Sequence, residues 1–368
     1  MNNTIPQAKR QYTFDLQDAA SEILGEAWPV AYCLKRPVSR YQGVEIRHNG
    51  ESAHFHGVQT CKSAWVCPVC ARRVMAGRKE EIENILLKGQ EKGWCALFLT
   101  VTLQHTRDSE LEELLKTLLA AWRSVFSGDR TGERQVLSRV KAQIKSTEIR
   151  WGRNGFHPHL HVLLMVDEAG MSETQAGLFE DKLAEVIFSR YQRAVEKRGM
   201  VAEREAYDAR PVSMAGAAAH YVTKIEAALE LTSPETKKGF AGGARSYTMF
   251  QLLSLYERGE RQLYGKDIAE VFREFARATK GKRAVSYSRN IKELLGIEAK
   301  PDEELALEAE LPEEKTIAVV SADVWRVVCA RKMRAQLLAV ADSGDERQVS
   351  AWLEALEESV AQPERVKK

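Results

Sequence analysis

Between Phe156 and Val166 the chain reads Phe-His-Pro-His-Leu-His-Val-Leu-Leu-Met-Val, and no other run constrains the fold as tightly. His157, His159 and His161 alternate with apolar residues at the period of a β-strand. All three imidazoles therefore share one face, with neighbours about 6.6–7 Å apart at Cα. The run is preceded by Gly152-Arg-Asn-Gly155 and, before that, by Ile144-Lys-Ser-Thr-Glu-Ile-Arg-Trp151. Asn-Gly between two β-type runs predicts a hairpin with strands over 144–151 and 156–166. Closing the chain over residues 152–155 sets Glu148 opposite His159 and Arg150 opposite His157, a register that a one-residue slip would break. Glu148, His159 and His161 then form a site of two imidazoles and one carboxylate with open positions. Such a donor set suits Mg²⁺ or Mn²⁺ acting on phosphate oxygens, and would also accept Zn²⁺ or Co²⁺. A phosphodiester must be polarised while its own oxygens take the open positions, which is why the chemistry needs this mixture. The bland alternative is a strand of solvent-facing polar residues. Against it, three of the chain's eight histidines fall within five residues.

The surrounding pattern supplies a sheet for that hairpin. Trp94-Cys-Ala-Leu-Phe-Leu-Thr-Val-Thr-Leu103 is rich in apolar and β-branched residues and predicts a buried strand. A helical period runs from Lys79 to Lys92, with Ile82, Ile85 and Leu86 on one face. Ser109 with Glu112 three residues on predicts a capped helix carrying Leu111, Leu114, Leu115, Leu118, Leu119 and Trp122. Further helices are expected from about Ser172 to Lys197, from near Ser213, and around 247–257, 265–279 and 288–295. The order implies an α+β fold, an antiparallel sheet with helices packed on it.

The expected helix from Ser213 carries Ala215-Gly-Ala-Ala-Ala-His-Tyr221, followed by Val222-Thr-Lys224. Tyr221 and Lys224 lie three apart and share a helix face. A phenol is a poor nucleophile at its ordinary pKa of ~10. A neighbouring ammonium or a metal-held phosphate lowers the cost of the charge that develops as it attacks. The small residues Ala217, Ala218 and Ala219 would admit a DNA backbone closely. Alternatively, Tyr221 is one of ten tyrosines and merely anchors a helix to the sheet.

Four of the six cysteines lie between residues 31 and 75. Cys61-x5-Cys67-x2-Cys70, with Pro68 inside the second pair, has the spacing of a zinc site, since two thiolates at x2 spacing grip one ion from a tight turn. Cys33 is the best fourth ligand, with His54 and His56 as runners-up. Buried unpaired thiols are the alternative, and Cys95 and Cys329 are expected to be plain core residues. Basic residues Lys62, Arg72, Arg73, Arg78 and Lys79 surround the cluster and are placed to contact phosphates. Arg153, in the hairpin turn, is a further candidate DNA contact.

The net charge of +2 conceals an asymmetry. Residues 301–368 hold 15 acidic and 9 basic groups, net −6, which leaves +8 on residues 1–300. A basic body with an acidic segment is compatible with nucleic-acid binding. The N-terminus lacks the apolar core of a secretory signal, and no run of ~18 apolar residues reads as a membrane span. The expected location is the cytoplasm, with no membrane partner, and disulfides are not expected there. The expected organisation is an extension over 1–30, a Cys-rich zinc module over 31–78, a catalytic domain with following helices over 79–300, an acidic linker over 301–316 and a small helical tail over 317–368.

Together, the strand Phe98-Leu-Thr-Val-Thr-Leu103, the segment Gly155-Phe-His-Pro-His-Leu-His-Val-Leu-Leu164 and Tyr221-Val-Thr-Lys224 resemble, in that order, three motifs of the rolling-circle plasmid replication initiators of the HUH endonuclease superfamily. The Cys-Pro-x-Cys element, Tyr247-Thr-Met-Phe-Gln-Leu-Leu253 and Ser286-Tyr-Ser-Arg289 also resemble members of this group. The resemblance covers roughly residues 30–296. It implies an HUH endonuclease-like antiparallel sheet flanked by helices, beside an N-terminal zinc-binding module and a helical C-terminal tail. It also implies a metal-dependent, site-specific nickase. Tyr221 would attack one strand at a plasmid double-strand origin, single-stranded or cruciform at the nick, and become joined to the 5′ end. The freed 3′-OH would prime host DNA polymerase, and the ends would be rejoined at termination. Lys224 would stabilise developing charge or help position metal and phosphate. No Walker sequence is present, so unwinding would fall to a host helicase. Some relatives carry a glutamate one helical turn before the tyrosine; here that position is Ala217. Termination would then use another carboxylate, metal-bound water or a second protomer's tyrosine, which is compatible with a homodimer. The competing assignments are a related HUH transposase or relaxase, a small-molecule His-x-His metallohydrolase, and a non-enzymatic zinc-module DNA-binding regulator.

Overall fold

The computed structural model describes residues 7–39, 41–128, 133–212, 246–298, 300–307 and 314–361. The chain divides into two compact units, one of residues 1–73 with 302–368 and the other of residues 74–301.

In the first unit, helix α1 (Gln7–Leu24) buries Phe14, Leu16, Ala20 and Ile23. It packs on the helix Arg334–Ala341. Arg334, itself 2% exposed, donates to Gln17 Oε1 at 2.7 Å and Asp18 Oδ1 at 3.0 Å, and lies over the Phe14 ring. Strands β1 (Val44–His48) and β2 (Ala53–His56) form an antiparallel sheet whose third member is the distant strand Lys315–Val320, paired with β1 from Val44↔Val320 to His48↔Lys315. Trp325 closes the arrangement, edge-on to Phe55 at 4.7 Å and donating from Nε1 to the Lys35 carbonyl. Among the described residues, α1 and the segment from Lys315 to Ala341 thus belong to one unit. Each supplies half of an apolar contact that neither buries alone, and the Cys-rich segment lies between them in the same unit. Within the expected linker, Asp302–Leu305 is helical.

Helix α2 spans Pro68–Glu91. The second unit is built on an antiparallel sheet. Its strands are β3 (Trp94–Val101), β4 (Val140–Gly152), β5 (Gly155–Asp167) and β6 (Asp208–Val212), with Val285–Tyr287 at one edge. The order is Val285–Tyr287, β4, β5, β3, β6, and β7 (Tyr247–Thr248) pairs with the turn end of β4. On β5 the half-buried histidines alternate with buried Phe156, Pro158, Leu160 and Val162, and from Leu163 to Val166 both faces are covered. Amphipathic α3 (Leu111–Val125) packs on β5 and against α5 (Glu173–Glu196), with α4 (Glu133–Leu137) between them in sequence. Ser172 and Gln175 form the capping box of α5, and Tyr191 on that helix donates to the Thr102 carbonyl at 3.0 Å. Ser109 does not cap α3. The helix starts one turn-residue later, and Glu274 Oε1 accepts from the Leu111 N–H instead, at 3.0 Å. Gly89 permits α2 to approach the sheet, since a Cβ there would lie 2.2 Å from Met165 Cε. The observed fold is mixed, with helices on an antiparallel sheet, as the element order implied.

Candidate functional site

The hairpin pairs Gly152 with Gly155, leaving Arg153 and Asn154 as the turn, and Gly155 takes φ +86°. A Cβ at Gly155 would meet the Thr106 and Arg107 carbonyls at 3.1 and 3.0 Å, so the position needs glycine for both conformation and space. From this turn the register runs through Arg150↔His157 and Glu148↔His159 to Ser146↔His161, the register read from the turn residues.

Glu148 Oε2 lies 3.0 Å from His161 Nε2 and 3.7 Å from His159 Nδ1. One donor atom from each of the three side chains falls within 4.8 Å of the others, so the group is able to hold a metal ion. Burial alone would raise the Glu148 carboxyl. Hydrogen bonds from His159 and His161, with the charge of Arg150, outweigh it and hold the group well below the usual carboxylate range. Arg150 Nη1 donates to Glu148 Oε1 at 3.2 Å, and its other nitrogens bind the Ser246 hydroxyl and carbonyl, both at 3.0 Å. This leaves Oε2 as the Glu148 oxygen turned towards the imidazoles.

Behind His161, Thr100 Oγ1 lies 3.1 Å from Nδ1, and the Phe98 ring stacks at 5.7 Å with 18° between planes. Along the strand, His157 contacts His159 at 4.2 Å and His105 at 4.6 Å, ring centre to ring centre, so four histidines form a row. Burial, then the charges of His159 and His105, push His157 down to about 3, leaving it neutral beside the candidate ligands. Thr100, His105 and Arg150's link to Ser246 are the parts of this site that sequence reasoning missed. Thr100 acquires its place only through the non-sequential β3–β5 pairing, in which it faces His161.

Tyr221, Lys224 and Ala217 lie outside the described residues, as does the expected helix from Ser213.

Cys33, Cys61, Cys67 and Cys70 converge in the first unit. The Cys33–Cys70 and Cys61–Cys70 sulfurs are 3.6 Å apart and Cys33–Cys67 3.7 Å. These separations far exceed a disulfide bond. They match the edge, about 3.8 Å, of a tetrahedron with arms of about 2.3 Å, the length of a zinc–thiolate bond. The four thiols therefore fit a closed metal site. Burial opposes a thiolate at Cys67, yet hydrogen bonds from Cys33, Cys61 and Cys70 outweigh it and pull the group below its usual range. Gln17 Nε2 adds a donor to Cys67 Sγ at 3.4 Å. His54 and His56 instead face carboxylates, at 3.4 Å from Glu314 and 3.5 Å from Glu45.

Of the basic residues, Lys62 is exposed, and Arg72 and Arg73 are half-buried beside the cysteines. Burial, then Arg10 and Arg73, lower the Arg72 pKa. Arg153 is exposed at the hairpin turn, with its guanidinium 5.9 Å over the Tyr264 ring. Arg78 does not face solvent. It is 2% exposed, paired with Glu81 at 2.6 Å and set over Tyr287, because α2 turns it towards the sheet. Cys95 is not a plain core residue either, since it is half-buried with its sulfur 3.6 Å from Glu180 Oε1. No helix among the described residues is long and apolar enough to cross a membrane.

The chain matches the model of the Replication protein (Rep_1) family over residues 52–333. It belongs to the Replication protein family. A curated relative, "Protein rep" of Streptomyces lividans, is 23% identical over 349 residues, covering 78% of this chain and 76% of the relative. No solved structure matches significantly. In this replication protein the family match takes in both the three-ligand hairpin site and three of the four cysteines, Cys61, Cys67 and Cys70.

Proposed function

We propose that this replication protein initiates rolling-circle replication of a plasmid as an HUH endonuclease. It binds the double-strand origin, nicks one strand and later rejoins the ends. The observation that carries this reading is the convergence of Glu148, His159 and His161 on adjacent pleats of one hairpin, in a family named for replication. A divalent ion held by these three residues, Mg²⁺ or Mn²⁺ by the chemistry of the set, supplies polarisation of the scissile phosphate and neutralisation of its charge. Tyr221 is the nucleophile. Its oxygen forms the new bond to phosphorus as the bond to the 3′ oxygen breaks, leaving a 5′-phosphotyrosine link and, after protonation, a 3′-OH primer. The phosphodiester energy is kept in the link, so strand transfer needs no nucleotide cofactor. Lys224, one turn from Tyr221 in the expected helix, stabilises the charge developing on attack. Arg150 and Thr100 orient the carboxylate and the imidazole.

The four-cysteine set holds structural Zn²⁺, and Lys62, Arg72, Arg73 and Arg153 contact origin phosphates. Host helicase and host polymerase act on the nicked product, and a homodimer would supply a second tyrosine at termination.

The decisive experiment incubates the chain with Mn²⁺ and single-stranded oligonucleotides tiling its replicon, read by denaturing gel and peptide mass spectrometry. A DNA adduct on the Tyr221 peptide, lost in Tyr221→Phe and in His161→Ala, supports the nickase. Firm duplex binding with no adduct on any tyrosine would instead favour the zinc-module regulator.

A further inference from the structure

At the other end of the strands that carry the histidine site, three side chains from three elements converge. Cys95 opens β3, Glu168 follows the last residue of β5, and Glu180 projects from the second turn of α5. One donor atom of each lies within 4.8 Å of the others. We propose that Cys95, Glu168 and Glu180 form a second transition-metal site, with one thiolate and two carboxylates as ligands.

Geometry carries the assignment. Cys95 Sγ and Glu180 Oε1 are 3.6 Å apart. Two ligands at zinc–sulfur and zinc–oxygen distances of about 2.3 and 2.1 Å, at a tetrahedral angle, would be separated by about 3.6 Å. Glu168 Oε1 is fully buried and has no hydrogen-bond partner among the described residues. An orphaned carboxylate oxygen in such a place is destabilising unless a proton or a cation meets it. A divalent ion would meet that oxygen. One thiolate among oxygen ligands selects Zn²⁺, Co²⁺ or Cd²⁺ over Mg²⁺ and Ca²⁺, which bind oxygen alone.

The site is distinct from the histidine centre. Cys95 is five residues from Thr100 along β3, roughly 16 Å, and points to the opposite face of the sheet. The same parity directs it to the face on which α5 packs, so a bound ion would tie β3, the exit of β5 and α5 together.

The test uses the full chain and Cd²⁺, with bound metal counted after desalting and followed by cadmium NMR. The intact protein is expected to hold one more ion per chain than Cys95→Ser. The resonance lost in that variant should differ from that of the four-thiolate site. Glu180→Gln, an isosteric change at a half-buried position of α5, should weaken the extra site at least tenfold and leave the four-thiolate resonance in place. Equal metal content and equal affinity in the intact chain and Glu180→Gln would overturn the assignment. So would loss of only the four-thiolate resonance in Cys95→Ser. Neither readout depends on nicking, so the outcome is independent of the proposed endonuclease.

Discussion

Thr100 Oγ1 sits 3.1 Å from His161 Nδ1, while His161 Nε2 faces Glu148 Oε2 at 3.0 Å. The imidazole is thus held at both nitrogens, from β3 on one side and β4 on the other. A ligating histidine whose second nitrogen is fixed loses less freedom on binding metal. Thr100→Val keeps the shape and removes the hydroxyl. It should lower Mn²⁺ affinity about 10–100-fold, measured by calorimetric titration, and Thr100→Ser should restore most of it. Unchanged affinity in Thr100→Val would show that the contact positions nothing.

His157 gives a pH signature. Its ring takes a proton near 6.5 in the unfolded chain but only at about 3 in the fold, because burial and the neighbouring histidines oppose the charge. The unfolded state therefore binds more protons between those values. The contribution of this group to stability is present above about 6.5, declines as pH falls and stops declining near 3. Thermal melts of His157→Gln across that window should fall less steeply with acid than those of the parent. Parallel curves would mean that the ring titrates freely in the folded protein.

How far these features were legible in the sequence follows from how local they are. The hairpin register was readable because Gly152 and Gly155 close a turn whose strands are adjacent in the chain. The cysteine set was readable because Cys61, Cys67 and Cys70 lie within ten residues. The role of Thr100 was not, since Thr100 and His161 lie 61 residues apart in the chain and nothing local announces that β3 pairs with β5. The pairing of Val44 with Val320 was equally hidden, because it joins opposite ends of the chain and neither strand announces its partner. Cys95 read as core because its neighbours are apolar, and only the approach of α5 brings Glu180 to its sulfur.

The four-cysteine site should carry much of the stability of its unit. Each sulfur lies at a tetrahedral edge distance from others, and structural zinc contributes folding free energy directly. Prolonged treatment with a strong chelator, or Cys67→Ser, should therefore cost about 5 kcal/mol or more. At about 2–4 °C per kcal/mol, that lowers the melting temperature by more than about 10 °C. The measurement is calorimetry paired with zinc analysis. A chain that loses its zinc and melts at the parent temperature would remove the structural role.

Arg10 and Asp342 test whether the two ends of the chain fold as one unit. Arg10 Nη2 donates to Asp342 Oδ1 at 2.9 Å, Arg10 Nη1 meets Oδ2, and the Ala53 N–H also donates to Oδ1 at 2.9 Å. Both side chains are about nine-tenths buried, at 8% and 10% exposure. Asp342 thus ties α1, the start of β2 and the end of the helix Arg334–Ala341 through one carboxylate. Removing one partner of a buried pair strands the other charge, at a cost of about 3–5 kcal/mol. Asp342→Ala should destabilise the protein by that amount in urea titrations, and Arg10→Met with Asp342→Leu should recover part of it because no charge is then left unpaired. If the N-terminal helix were a detached extension, neither change would move the unfolding midpoint.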